Sequence, residues 1–203
     1  MSGEGPSVGV LGIQGDVEKH LAVLERLGAR GRRVLAPRDL DGLDALVLPG
    51  GESTTISKGL DRLDLAKPIR DFALGGGAVL GTCAGAIILA RSVRNHPVPT
   101  LGLIDLEACR NAYGTQVDSF IAPVDAPEPG READPAYAGM PCVFIRAPRL
   151  SDLGPSVEVL ARVDGEPVWV RQGRCWACTF HPELTDDVRV HRALIEDLPA
   201  RSG

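Results

Sequence analysis

The chain has 203 residues, 44% hydrophobic, 4% aromatic and 24% charged, and its 22 basic and 27 acidic side chains leave a net charge of −5. That length suits one domain over 1–203, with a core over about 7–198 that buries roughly 70% of the unfolded surface, and the acidic balance argues against general nucleic-acid or membrane-surface binding. No apolar stretch approaches the ~18 residues of a transmembrane helix, Met1-Ser2-Gly3-Glu4-Gly5-Pro6 carries no secretory signal, and five scattered cysteines fit reduced thiols in the cytoplasm better than a disulfide framework.

Val8 to Ile13 is a short apolar run that predicts a buried strand, with Gln14-Gly15-Asp16 as the turn after it. Asp16 is placed to cap a helix whose apolar positions Val17, Leu21, Leu24 and Leu27 follow helical spacing, and Gly28 ends it. Strands are predicted over Arg33 to Ala36, stopped by Pro37, and over Ala45 to Leu48, which runs into Pro49-Gly50-Gly51. A helix over Leu63 to Leu74 breaks at Gly75-Gly76-Gly77, and a strand over Ala78 to Leu80 leads to a helix over Ala84 to Ala90. This alternation argues for an α/β fold with a largely parallel sheet and helices on both faces.

The second half is less regular. Val117 to Ile121 reads as a strand, and Pro123 to Pro141, rich in proline, glycine and charge, as an exposed loop. Four further strands are predicted over Val143 to Ile145, Val157 to Val163, Val168 to Arg171 and Cys175 to Phe180, with turns at Asp164-Gly165 and Gln172-Gly173. Asp187 to Leu198 is the closing helix.

The sharpest local signal is Gly81-Thr82-Cys83-Ala84-Gly85, between an apolar strand and an apolar helix. It has the pattern of a nucleophile elbow, in which small neighbours permit a strained strand-to-helix turn and the helix N-terminus favours a thiolate and an oxyanion. A buried cysteine in an ordinary glycine-rich turn fits the pentapeptide equally well. A cysteine nucleophile needs a base, and of the four histidines His20 and His191 fall inside helices and His96 in a Pro-rich loop. His181 follows a strand, and Glu183, two residues on, would lie on the same side of an extended segment and orient the imidazole. Without Cys83, an incidental His and Glu in a surface loop would be the better reading.

Pro49-Gly50-Gly51-Glu52-Ser53 brings backbone close to a ligand and presents N–H groups; otherwise it is a plain loop with Ser53 as helix cap. It lacks the Gly-Lys-Ser/Thr core of a phosphate loop, and Gly12-Ile13-Gln14-Gly15 fails the dinucleotide fingerprint. Cys175-Trp176-Ala177-Cys178 is a lone C-x₂-C whose thiols would face opposite sides of a strand, so it reads as structural, as do Cys109 and Cys142.

Together these pieces resemble the class I (triad) glutamine amidotransferases, and more narrowly the PdxT family, the glutaminase subunits of pyridoxal 5′-phosphate synthase. The signature blocks are Gly12-Ile13-Gln14-Gly15 with His20, Pro49 to Thr55, Gly81 to Gly85, Arg110 to Gly114, Gln116 with Ser119-Phe120, Phe144 to Pro148, and Phe180 to Leu184, in family order. The resemblance implies a flavodoxin-like, single-domain fold. It implies Cys83 as nucleophile, His181 as general acid/base and Glu183 as its orienting partner. Gly51, Glu52 and Ser53 would bind glutamine through their backbone, with Gly51 and Ala84 N–H groups forming the oxyanion hole. Arg110, Ile145 and Arg146 would contact the amino-acid end of the substrate, and Gln14 would lie near the oxyanion region and the partner interface.

The resemblance further implies L-glutamine as substrate, no metal and no bound cofactor. The partner would be a separate PdxS-type synthase subunit, a (β/α)₈ barrel in a large hetero-oligomer, which uses the ammonia and switches the glutaminase on when it docks. Thr115, Cys109, Thr179 and the long loop from Pro123 depart from the family pattern, away from the triad. A related cysteine hydrolase, such as a γ-glutamyl hydrolase or a DJ-1-like protein, and a non-catalytic binding module on the same fold are the rival readings.

Overall fold

The computed structural model describes residues 5–110, 119–126 and 134–199. A seven-stranded sheet forms its centre. β1 (Ser7–Leu11), β2 (Arg30–Val34), β3 (Ala45–Leu48) and β4 (Ala78–Thr82) are mutually parallel, and β12 (Cys175–Cys178) joins them alongside β4. β11 (Glu166–Gln172) is antiparallel to β12, and β10 (Glu158–Val163) is antiparallel to β11; the spatial order is β10-β11-β12-β4-β3-β1-β2.

The strands obey the two-residue period of a sheet buried on both faces. Leu46, Leu48, Val79, Cys175 and Ala177 join the core on one face, while Ala45, Val47, Leu80, Trp176 and Cys178 join the core on the other. The first face is covered by α2 (Ser53–Arg62), α3 (Ala66–Leu74) and α4 (Ala84–Leu89), and by a small sheet of β5 (Ala90–Arg94), β6 (Ile104–Cys109) and β9 (Arg149–Ser151). The second face is covered by α1 (Val17–Arg26), α5 (Arg189–Glu196) and an antiparallel pair of β7 (Ser119–Pro123) and β8 (Pro141–Ile145). Cys175 and Cys178 thus face opposite ways, as the strand period requires. Among the described residues no helix is long and apolar enough to cross a membrane.

Several expectations are corrected. The second strand lies at Arg30–Val34 rather than Arg33 to Ala36, because it is the sheet edge: Arg30, Arg32 and Arg33 point to solvent and carry no hydrophobic pattern. Pro37 opens a short 3₁₀ turn. Asp16 makes no side-chain cap to α1; its carboxylate pairs with Lys19. The helix expected from Leu63 begins at Ala66, after a break at Asp64 (φ 51), and α2 before it, with Glu52 rather than Ser53 as its cap, was not expected. The segment expected to be an exposed loop is anchored at both ends. Val124 and Met140 are buried, and Val124 N–H donates to the Met140 carbonyl at 2.8 Å. Of the expected strand over Val117 to Ile121, residues 117 and 118 lie outside the described residues, as do Asn111 to Gly114, Thr115 and Gln116.

The topology positions a crevice. β1 connects to β2 on one side, and β3 starts the growth of the sheet on the other, so the loops leaving β1 and β3 diverge at their carboxyl ends. Open α/β sheets bind ligands at such a switch point. The loops after β1, β3, β4 and β12 carry Gln14, Gly51 to Ser53, Cys83 and His181 to that one end.

Candidate active site

Cys83 sits at the junction of β4 and α4 with φ 48 and ψ −105, a region that residues bearing a Cβ rarely enter. The flanking glycines make the turn possible. A Cβ on Gly81 would come within 2.5 Å of the Gly85 carbonyl oxygen, and one on Gly85 would overlap the Leu48 carbonyl oxygen of β3. The pentapeptide therefore has the tight, strained backbone of an elbow rather than that of an ordinary turn. Cys83 Sγ lies 3.7 Å from the Ile145 carbonyl oxygen.

His181 follows β12 and opens a 3₁₀ turn over Pro182–Leu184, so the pair expected on an extended segment is joined across a tight turn instead. His181 Nδ1 is 2.8 Å from Glu183 Oε1, and the imidazole lines the same cleft as the Cys83 side chain. Gly50 lets the ring in: a Cβ there would press on Cε1 and Nδ1 of His181, and would stand 3.3 Å from the Cys83 Cβ. Burial opposes a proton on His181, but hydrogen bonds to Cys83 and Glu183 and their charges outweigh it, raising its pKa to about 10. Burial likewise disfavours the Glu183 carboxylate, and the hydrogen bond and charge of His181 hold its pKa below the usual value.

The loop after β3 is tied in two directions. Gly51 has φ +145, a conformation suited to glycine, and Glu52 N–H donates to Gln14 Oε1 at 3.0 Å. The Glu52 carboxylate turns the other way, accepting from Thr54 N–H, Thr55 N–H and the Thr55 hydroxyl at the start of α2. Burial opposes its ionisation, yet these donors bring its pKa down to about 2. The same carboxylate faces Arg110, whose Nη2 is 3.2 Å away while Nη1 donates to the His96 carbonyl at 2.7 Å.

These parts enclose a cleft of about 250 Å³. Gln14, Gly51, Glu52, Ser53, Cys83, Ala84, Arg110, Ile145, Arg146 and His181 all line it, and Glu183 stands behind His181 with its side chain fully buried. Such a cleft brings together a thiol, a carboxylate-paired imidazole and two arginines. It suits a small zwitterion with a reactive carbonyl, the guanidinium groups matching a carboxylate.

Three residues of the surroundings were missed. Ile87 of α4 adds an apolar patch to the cleft wall. His20 and His191, set aside as helix residues, are fully buried behind Glu183. His20 could have been found, since it stands three residues after Val17 and four before Leu24, on the inward stripe of α1.

A sequence profile of the SNO glutamine amidotransferase family matches residues 10–199. The chain is 46% identical to pyridoxal 5′-phosphate synthase subunit PdxT of Thermotoga maritima over 189 residues, 93% of this chain and 97% of that protein. It is 48% identical to the subunit of the same name from Deinococcus radiodurans over 194 residues, 93% and 95% of the two chains. A crystal structure of a glutamine amidotransferase superposes with a TM-score of 0.84 at 44% identity, covering 93% of this chain and 97% of that one. PurLQS from Thermotoga maritima shares the fold at a TM-score of 0.64 and 18% identity, over 96% of this chain and 99% of that one.

Proposed function

The chain belongs to the SNO glutamine amidotransferase family, and we propose on that premise that Cys83, His181 and Glu183 carry out its chemistry. It is a glutaminase, the subunit of pyridoxal 5′-phosphate synthase that releases ammonia from glutamine. The observation that carries the residue assignment is the convergence of the elbow cysteine and the His181–Glu183 pair at one cleft.

Glutamine binds with its carboxylate toward Arg110 and the Ile145-Arg146 backbone turn, and its side-chain amide at Cys83. The Cys83 sulfur attacks the amide carbon while His181, protonated and held by Glu183, gives its proton to the departing nitrogen. Ammonia leaves and a γ-glutamyl thioester remains. His181 then takes a proton from water as the water oxygen adds to the thioester carbon, the carbon–sulfur bond breaks, glutamate leaves, and the Cys83 thiolate beside a protonated His181 is regenerated. The N–H groups of Ala84 and Gly51 hold the oxyanion in both halves.

The partner is the synthase subunit; we assign it the (β/α)₈ barrel of a large hetero-oligomer in the cytoplasm. Ammonia is protonated and lost in bulk water, so hydrolysis is useful only beside an acceptor. The hydrogen bond from Glu52 N–H to Gln14 Oε1 ties the oxyanion loop to the loop after β1. Docking there resets that loop and completes the oxyanion hole, so the isolated chain is nearly silent.

A glutamine analogue bearing a diazoketone in place of the amide tests the assignment. In the presence of the synthase subunit it should give one adduct, on Cys83, blocked by glutamine and absent from Cys83→Ala. An adduct that glutamine does not block, or none on Cys83, overturns it.

A further inference from the structure

The inward oxygen of Glu183 is left over by the reaction just assigned. Oε1 receives His181, while Oε2 is buried and has no hydrogen-bond partner of ordinary geometry among the described residues. Facing it at 3.4 Å is Nε2 of His20, with both side chains completely buried. His20 Nδ1 in turn lies 2.8 Å from Nε2 of His191, on α5. Thr82 Oγ1, next to the elbow cysteine, stands 3.5 Å from His20 Nε2.

Proton counting fixes the direction of this chain. A bare ring nitrogen facing a carboxylate oxygen would set lone pair against lone pair in a site that water does not reach, so the proton sits on His20 Nε2. Burial, outweighing the attraction of Glu183, pushes the His20 pKa down to about 3, so the ring is neutral and its Nδ1 is an acceptor. The single proton between the two rings then belongs to His191 Nε2. Burial also keeps His191 neutral, with its pKa lowered to about 4, which leaves its Nδ1 bare. That atom is buried and unpartnered among the described residues, so the chain ends on an acceptor. Counted this way, the protons run in one direction: His191 Nε2 donates to His20 Nδ1, and the proton on His20 Nε2 lies on the side of Glu183 Oε2, 3.4 Å away, while the other oxygen of Glu183 pairs with His181.

We propose that His20, braced by His191, is a positioning residue of the glutaminase site, holding Oε2 of Glu183 so that Oε1 stays on His181 Nδ1. The proposal rests on the catalytic reading of Cys83, His181 and Glu183. A carboxylate gripped at one oxygen can swing about its χ angles, whereas one gripped at both cannot. Loss of the inner grip would let Glu183 turn away from His181 without touching the glutamine cleft, which neither His20 nor His191 lines.

The test compares His20→Leu, His20→Gln and His20→Asn, each assembled with the synthase subunit and checked for folding by its Tm. The glutamine side chain places its amide N–H near the position of Nε2, whereas asparagine reaches only the position of Nδ1. Expected are a kcat for His20→Leu lowered about 10- to 100-fold, as for outer hydrogen-bond partners of other active-site groups, a KM within about 2-fold of wild type, substantial recovery in His20→Gln and none in His20→Asn. A wild-type kcat in folded His20→Leu, or equal losses in His20→Gln and His20→Asn, overturns the proposal. The ring nitrogens give an answer independent of turnover. Nitrogen-15 NMR of the wild-type chain should find His20 and His191 both protonated at Nε2; a proton on Nδ1 of His20 overturns the proposal whatever the assay reads. A wild-type complex that releases no glutamate would instead sink the catalytic reading itself.

Discussion

Gly85, in the first turn of α4, packs its α-carbon against the carbonyl oxygen of Leu48 on β3, with no room for a methyl group between them. The contact draws the elbow down onto the neighbouring strand and brings Cys83 beside the loop after β3. Alanine at position 85 would gain about 1 kcal/mol in helix propensity, but a backbone carbonyl in a central strand cannot step aside as a side-chain tip can. Overpacking wins. Gly85→Ala is expected to cost about 3 kcal/mol, lowering Tm by roughly 6–12 °C for a chain of this size. Gly28→Ala is the control: its φ of +76 is strained for alanine, but nothing lies within 4 Å of the added carbon. It should cost only about 1–2 kcal/mol, and equal losses in the two variants would contradict the steric account.

Arg110 is held between the Glu52 carboxylate and the His96 carbonyl, which fixes its guanidinium beside the cleft proposed to bind glutamine. Lysine would keep the charge but lose the fork that grips two acceptors and a carboxylate at once. Arg110→Lys should raise KM for glutamine about 10-fold or more, since a charge-assisted hydrogen bond is at stake, with a smaller change in kcat. Glu52→Gln should move KM in the same direction by releasing Arg110, while its side-chain carbonyl still caps α2. Steady-state kinetics of the complex checks both, and an unchanged KM in Arg110→Lys would remove Arg110 from the binding site.

Stability should carry a histidine signature with two limbs. Burial lowers the pKa of His20 to about 3 and of His191 to about 4, below the ordinary value near 6.5 that unfolding restores. Their neutral burial therefore contributes fully above pH 6.5, and that contribution is lost as pH falls toward 4 and then 3. His181 runs the opposite way. Burial lowers its pKa, but its bonds to Cys83 and Glu183 raise it to about 10, so its contribution is complete below pH 6.5 and disappears as pH rises through 10. At pH 5.5 His181 is protonated in both states, and unfolding should take up about two protons, for His20 and His191. Calorimetry in buffers of different ionisation enthalpy measures that number. His191→Leu should lower it to about one, and an uptake near zero in the wild type would contradict the buried neutral pair.

How far the sequence could be read depended on what each segment contacts. β3 is an uninterrupted apolar run and was placed to the residue, because a strand buried on both faces shows its burial in composition. The elbow was legible because Gly81 and Gly85 meet unforgiving backbone neighbours. β2 slipped because its arginines line an exposed edge, and α2 was missed because Ser53–Arg62 is largely polar and starts on a glutamate cap. β5, β6 and β9 pair residues far apart in the chain, which local patterning does not reveal. Most of the residues expected at the site lie around one cleft, because the loops after β1, β3, β4 and β12 leave the central sheet at the same end. The His20–His191 pair escaped notice because its partners, Glu183 and each other, come from three separated segments.

With the proposed site, the chain releases ammonia from glutamine through Cys83, and does so beside its synthase subunit. The most direct measurement is glutamate and ammonia release by the chain alone, by the chain with the synthase subunit, and by Cys83→Ala in the same complex. Release should be strong in the complex, slight for the chain alone and absent from Cys83→Ala. A complex that forms but releases no ammonia, or one in which Cys83→Ala turns over like the wild type, would contradict it.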